Sequence, residues 1–143
     1  MAGYKKILVL LDLTEASEQI AAAGRDMAAY SNAALVMLHV VEFLPAEPMG
    51  ETLMPTVQIE KDLGQRAQVK LNELAARMGN SRVTTRVEAG NRKTEILRVA
   101  KEEAVDLIVL GSRVRHGLGI LVNFTEDTVL HAAHCDVLAV RVR

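Results

Sequence analysis

Long apolar runs alternate with amphipathic helical patterns along the whole chain, and that alternation limits the fold more than any other feature. Residues 6–11 (KILVLL) and 33–41 (AALVMLHVV) are almost uninterrupted hydrophobic segments. A strand with one wet face would alternate polar and apolar side chains. A continuous run asks for cover on both faces, which is the situation of a strand inside a parallel sheet. Residues 106–110 read as another such strand, and 136–142 as a last one.

Helical periodicity fills the intervals. After the first run, Thr14 or Ser17 can cap a helix whose apolar stripe falls on Ala16, Ile20, Ala23, Met27 and Tyr30, and Ser31-Asn32 stops it. A second helix is expected over 57–78 with Leu63, Ala67, Leu71, Leu74 and Met78 on one face, ended by Gly79-Asn80. Residues 82–88 (RVTTRVE) mix charged with apolar or neutral side chains, which suits an edge strand. Gly90-Asn91 leads into a third helix with Ile96, Leu97 and Ala100 inward. A fourth helix lies within 118–133. All three prolines, Pro45, Pro48 and Pro55, fall in one stretch with Gly50 among them. They mark a loop of about fifteen residues, longer than a compact domain usually carries without a role.

The order is β-α-β-α-β-α-β-α-β. Each crossover is long enough for a helix and right-handed crossovers are the rule, so the expected fold is one α/β domain over residues 1–143, an open parallel five-stranded sheet with helices on both faces. The chain has 143 residues, enough to bury about 70% of its unfolded surface. Seventeen basic and eighteen acidic side chains nearly cancel, so neither nucleic acid nor an anionic membrane is expected as the main partner. No apolar stretch approaches the length of a bilayer span. The first residues show no cleavage signal, and the single cysteine, Cys135, fits a reducing compartment. A cytoplasmic protein is expected.

Chemistry concentrates where strands end. Ligands of doubly wound sheets bind beyond the C-terminal strand ends, at the point where strand order reverses. With the first and fourth strands adjacent there, Asp12, Val41 and the segment after Gly111 line the crevice. Gly111-Ser112 opens a basic stretch containing Arg113, Arg115 and His116, with Gly117 and Gly119 among them, ahead of the fourth helix. That is an arrangement in which α/β proteins hold phosphate. Other features have plainer readings. Asp12 can accept the Thr14 or Glu15 N–H, His39 reads as a satisfied core histidine, and helix-end placement explains His131 and His134 beside Cys135 without a metal. The chain has no Gly-x-Ser-x-Gly elbow, no Walker sequence and no nucleophile–base–orienter set, so an enzyme is not expected.

The segments KILVLLDLTEAS, LVMLHVVE, EAGNRKTEILRVAKEEAVDLIVLGSRVRHGLG and VLHAAHCDVLAVRV, in this order and spacing, resemble the universal stress protein family over essentially the whole chain. The resemblance implies a Rossmann-like sheet ordered 3-2-1-4-5, cytoplasmic expression linked to stress, and homodimers paired through the last strand, here from Val137 to Val142. It implies no particular protein partner. Members that bind ATP carry a Gly, two residues, a Gly, nine residues, a Gly, then Ser or Thr. On this chain those positions hold Gly111, Val114, Phe124 and Thr125, so two of three glycines are replaced. Asp12 matches the carboxylate near the adenosine and Val41 the residue whose backbone reads the adenine. The nucleotide crevice would comprise Asp12, Val41, Gly111, Ser112, Arg113 and Thr125. Loss of two charge-assisted main-chain hydrogen bonds costs about 3–6 kcal/mol, or two to four decades of affinity. The expected protein is therefore a non-catalytic homodimer that acts through protein contacts or a small ligand, with no tightly held cofactor. The alternative is an ATP- or adenine-nucleotide-binding switch.

Overall fold

A computed structural model describes residues 3–42, 56–79, 82–113 and 124–142. Nine elements follow in order: β1 (Lys6–Leu10), α1 (Ser17–Ser31), β2 (Ala34–Val41), α2 (Thr56–Met78), β3 (Val83–Ala89), α3 (Arg92–Glu102), β4 (Leu107–Arg113), α4 (Phe124–Ala132) and β5 (Asp136–Val142). The strands form one sheet in the order β3-β2-β1-β4-β5, and every pairing is parallel. The class is that expected from the apolar runs, and the sheet order is the one the family resemblance implies. The proline-rich stretch 45–55 lies outside the described residues.

Strict alternation along the central strands divides the core into two layers. Ile7 and Val9, Leu35 and Met37, and Leu107 and Val109 pack with α1 and α2 residues such as Ile20, Leu71 and Leu74. Their neighbours Leu8, Val36, Leu38, Ile108 and Leu110 point the other way, onto Ile96, Val99 and Ala100 of α3 and Val129 of α4. Both faces are therefore covered, which is why β1 and β2 read as unbroken hydrophobic runs. Each fully buried side chain of this kind contributes about 1.5–3 kcal/mol of burial.

Several helix faces differ from the expected ones. On α1 the buried set is Ser17, Ile20, Ala21, Gly24 and Ala28, whereas Tyr30 is 90% exposed. The stripe turns by one position because Gly24, unremarkable on a hydrophobicity count, is where the helix comes closest to the sheet. A Cβ on Gly24 would stand 2.2 Å from Val9 Cγ2. On α2, Ala67, Leu71, Leu74 and Met78 are buried as expected, but Leu63 is exposed. On α3, Val99 takes the inward place assigned to Leu97, which is half-buried.

The ends follow local chemistry. Asn32 closes α1 in the left-handed conformation (φ 55°), and Gly79 follows α2 at φ 67°. The Asn91 side chain caps α3 by accepting the Thr94 N–H at 3.1 Å. At the other end of the sheet, Asp106 accepts the Lys5 and Lys6 N–H groups at 2.9 and 3.1 Å. That closes the entry to β1.

Candidate functional site

The expected crevice lies at the C-terminal ends of β2, β1 and β4, three neighbouring strands. Asp12 follows β1, Val41 ends β2, and Gly111, Ser112 and Arg113 end β4. Thr125 is the second residue of α4. Val114, with the side chains of Arg113, Phe124 and Thr125, lies outside the described residues.

Asp12 is held by its own chain. One carboxylate oxygen, Oδ1, accepts the Thr14 N–H at 3.0 Å, the Thr14 hydroxyl at 2.7 Å and the Ser17 hydroxyl at 3.0 Å. The backbone makes this turn with Leu13 at φ 61°, a conformation that costs a non-glycine residue about 1–3 kcal/mol. The three bonds to Asp12 offset it. The Thr14 N–H contact is one foreseen from sequence. The cap is not: α1 starts after Ala16, which makes no side-chain capping bond. Thr14 and Ser17 instead serve as donors to Asp12, and Ser17 is only 3% exposed.

His39 adds a second fastening that sequence could locate but not assign. Its Nδ1 lies 2.7 Å from the Leu11 carbonyl. A carbonyl oxygen only accepts, so Nδ1 carries the proton in this contact. The Leu11 N–H in turn donates to the Leu38 carbonyl at 2.8 Å. The peptide before Asp12 is thus tied to β2 on both sides. Beyond it, the Val41 carbonyl accepts the Gly90 N–H at 3.0 Å. Val41 also lines an open cavity of about 400 Å³, with Gly64, Val87 and Ala89 among its walls.

The Gly111 region corrects the expected boundary. β4 does not stop at Leu110: Gly111, Ser112 and Arg113 continue the strand and pair with Val140, Arg141 and Val142 of β5. Gly111 therefore sits in extended backbone within the sheet and outside any loop. A Cβ there would stand 2.5 Å from Ile20 Cδ1 and 3.3 Å from Val142 Cγ2. Packing of α1 onto the sheet accounts for glycine at this position without a ligand. One turn further round, Gln19 Nε2 donates to the Arg141 carbonyl at 3.2 Å, a contact no motif announced.

Away from the crevice, charges are arranged for structure. Arg98 meets Glu88 at 2.6 Å, Glu95 at 2.9 Å and also Glu102, and Arg86 reaches Glu88 at 3.2 Å. The Arg98 hydrogen bond holds the Glu95 carboxyl below the usual carboxylate range. Burial first, then Asp136 and Asp106, push the Cys135 thiol up, away from the thiolate that reactive cysteines need. Among the described residues no cluster of His, Cys, Asp and Glu is placed to hold a metal ion, and no helix is long and apolar enough to cross a membrane.

Known proteins resemble this chain in sequence and in fold. The chain is 38% identical over 144 residues to universal stress protein A homolog 2 of Coxiella burnetii, covering 100% of this chain and 99% of that protein. Homolog 1 of the same organism is 33% identical over 138 residues, 96% of each. Among solved structures, universal stress protein UspA from Lactobacillus plantarum superposes with a TM-score of 0.72 at 24% identity, over 99% of this chain and 100% of that one. A universal stress protein crystallised in complex with cAMP gives a TM-score of 0.74 at 20% identity, over 96% and 97%. The family model for universal stress proteins matches residues 3–141. With strand order, sequence identity and matched length in agreement, this chain belongs to the universal stress protein family.

Proposed function

We propose that this chain works in the cytoplasm as a non-catalytic homodimer in the stress response, through protein contacts or a small ligand and without tight ATP binding. The observation that carries the reading is the contrast between the two edges of the sheet. β3 closes one edge with Arg86 and Glu88 locked into the Arg98 network, a charged border that discourages further strand pairing. β5 closes the other with DVLAVRV, and Leu138 on it is 36% exposed. An apolar edge of this length invites a partner strand. Sedimentation velocity tests the assembly: a dimer is expected, and Leu138→Glu should release monomers. A monomeric parent protein would overturn the reading.

The low ATP affinity rests on Val114 and Phe124 standing where binders have glycine. An adenine-nucleotide switch is the second reading, supported by the cAMP complex of a structural neighbour and by the position of Asp12 and Val41 at adjoining strand ends. Thermal shift with ATP, ADP, AMP and cAMP separates the two. A ligand at a hundredfold excess over its Kd stabilises by about 2.7 kcal/mol, so micromolar binding would be plain and would favour the switch.

A further inference from the structure

Among the described residues, Gly64 is the glycine that neither backbone geometry nor packing explains. Gly24 and Gly111 make room for Val9 and Ile20, a Cβ on Gly3 would meet Ser31, and Gly79 and Gly90 adopt positive φ. Gly64 lies inside α2, where glycine is less favourable than alanine. A Cβ built on it would find no described atom within 4 Å. Yet the position does not simply face water. It is half-buried and precedes the buried Ala67 and Leu71 on the stripe that α2 lays against the sheet.

At Gly64 that cover stops. The space left there is the cavity of about 400 Å³ lined by Val41, Val87, Ala89 and Gly64, with Glu60 and Lys61 beside them on α2. Val41 lies opposite Ala89 in the β2–β3 pairing, and His39 opposite Val87. The three apolar side chains therefore share one face of the sheet, the α1–α2 side on which Met37 and Val87 pack. An apolar cavity of about 150 Å³ is enough for benzene, so this one has room for two fused rings.

The walls do not suit a phosphate. Glu60 is past the four free N–H groups at the start of α2, so the helix offers the cavity no main-chain donor. Glu60 and Lys61 carry opposite charges and cancel. Neither Asp12 nor Gly111 lines the space, and β4 lies two strands from β2.

We propose that this cavity binds a compact, uncharged, mainly apolar molecule of the size of one or two fused rings, and that Gly64 keeps it open. The proposal names the class of small ligand left open above and rests on that reading.

Indole is a probe of this size, and the chain has no tryptophan to mask its fluorescence. Titration with protein should give a saturable blue shift of indole emission, and indole should shift the Val41 and Val87 methyl signals in NMR spectra. Gly64→Ala should melt higher than the parent and bind indole more weakly, a split that a merely structural glycine would not produce. Gly64→Leu should abolish saturable binding. Indole that never saturates, or that binds Gly64→Leu as it binds the parent, overturns the site. A Gly64→Ala protein that melts lower than the parent shows that the chain itself fills the space, and overturns it too. Displacement of indole by AMP would make the cavity the base end of the nucleotide crevice and overturn the ligand class. None of these results alters the sedimentation or ATP measurements, so the reading above fails only on its own tests.

Discussion

Replacing Gly24 with alanine sets two established effects against each other, and the structure decides the winner. In a helix interior, Gly→Ala is normally worth about 1 kcal/mol of added stability. Here the new Cβ would lie 2.2 Å from Val9 Cγ2, 3.5 Å from Val9 Cβ and 3.6 Å from Leu35 Cδ1. Carbon atoms attract best at about 3.5–4.0 Å, so the first contact is a hard overlap. Val9 is fully buried on a central strand, and its β-branched side chain has few alternative rotamers. The helix must move, yet its first turn is fastened by Ser17 to Asp12 and by Gln19 to Arg141. Overpacking of this kind costs about 1–3 kcal/mol, and the closeness of the contact places it toward the upper end. After the propensity gain is subtracted, Gly24→Ala should destabilise by about 1–2 kcal/mol. Urea unfolding followed by circular dichroism would measure it as a lower midpoint at constant slope. Val9→Ala opens space for the added methyl, so the double variant should lose less than the sum of the singles, with a coupling of about 1–3 kcal/mol. A Gly24→Ala protein more stable than the parent, or strictly additive energies, would refute the packing argument.

Other consequences are independent of that contact. Ala104 occupies the left-handed position after α3 (φ 51°), where Val105 N–H returns to the Ala100 carbonyl; Ala104→Gly should raise stability by about 0.5–1 kcal/mol in the same urea assay. The hydrogen bond to Asp136, above all, pushes the pKa of the Tyr4 phenol above the ordinary tyrosine value. Because the folded value is the higher one, this stabilisation is complete below the unfolded pKa and disappears as pH climbs through the folded pKa. Thermal melts on the alkaline side should show that loss in the parent and a flatter limb in Tyr4→Phe. Cys135, with its thiol pushed up by burial, should react with a disulfide reagent near about pH 8 more slowly in the native protein than in urea. Val114→Gly combined with Phe124→Gly should raise ATP affinity by about two to four decades by calorimetry, and an unchanged affinity would mean those positions do not limit binding.

The architecture was readable because burial on both faces leaves a strong mark. β1 and β2 appear in the sequence as continuous apolar runs since Leu8 and Val9, or Val36 and Met37, each need cover on opposite sides. Edge strands carry other marks: the charges of β3 anticipated its border position, and the start of β5 at Asp136 coincides with the expected one. Helix orientation was less legible. Tyr30 fits the 3.6-residue period of α1 but stands in solvent, because that period is anchored by Gly24 rather than by large side chains. Val99 displaced Leu97 for the related reason that a helix face of about 100° admits either of two rotations. Long-range fastenings were invisible altogether. Nothing in the spacing of Gln19 and Arg141, or of His39 and Leu11, announces a hydrogen bond that only the sheet order creates.

The glycines show why the site was harder to read than the fold. In sequence a glycine stands for backbone freedom, and Gly111 followed by Ser112 reads as the beginning of a phosphate-holding loop. In the structure Gly111 is an extended strand residue opposite Val140, and what its missing side chain supplies is room for Ile20. Gly24 does the same for Val9. Both absences serve one end, the close seating of α1 on the sheet. That seating brings Ser17 within reach of Asp12 and Gln19 within reach of β5. A glycine that fits a ligand motif therefore counts toward ligand binding only after its packing role has been subtracted. At Gly111 the packing role suffices, so this glycine by itself adds nothing to the case for a nucleotide.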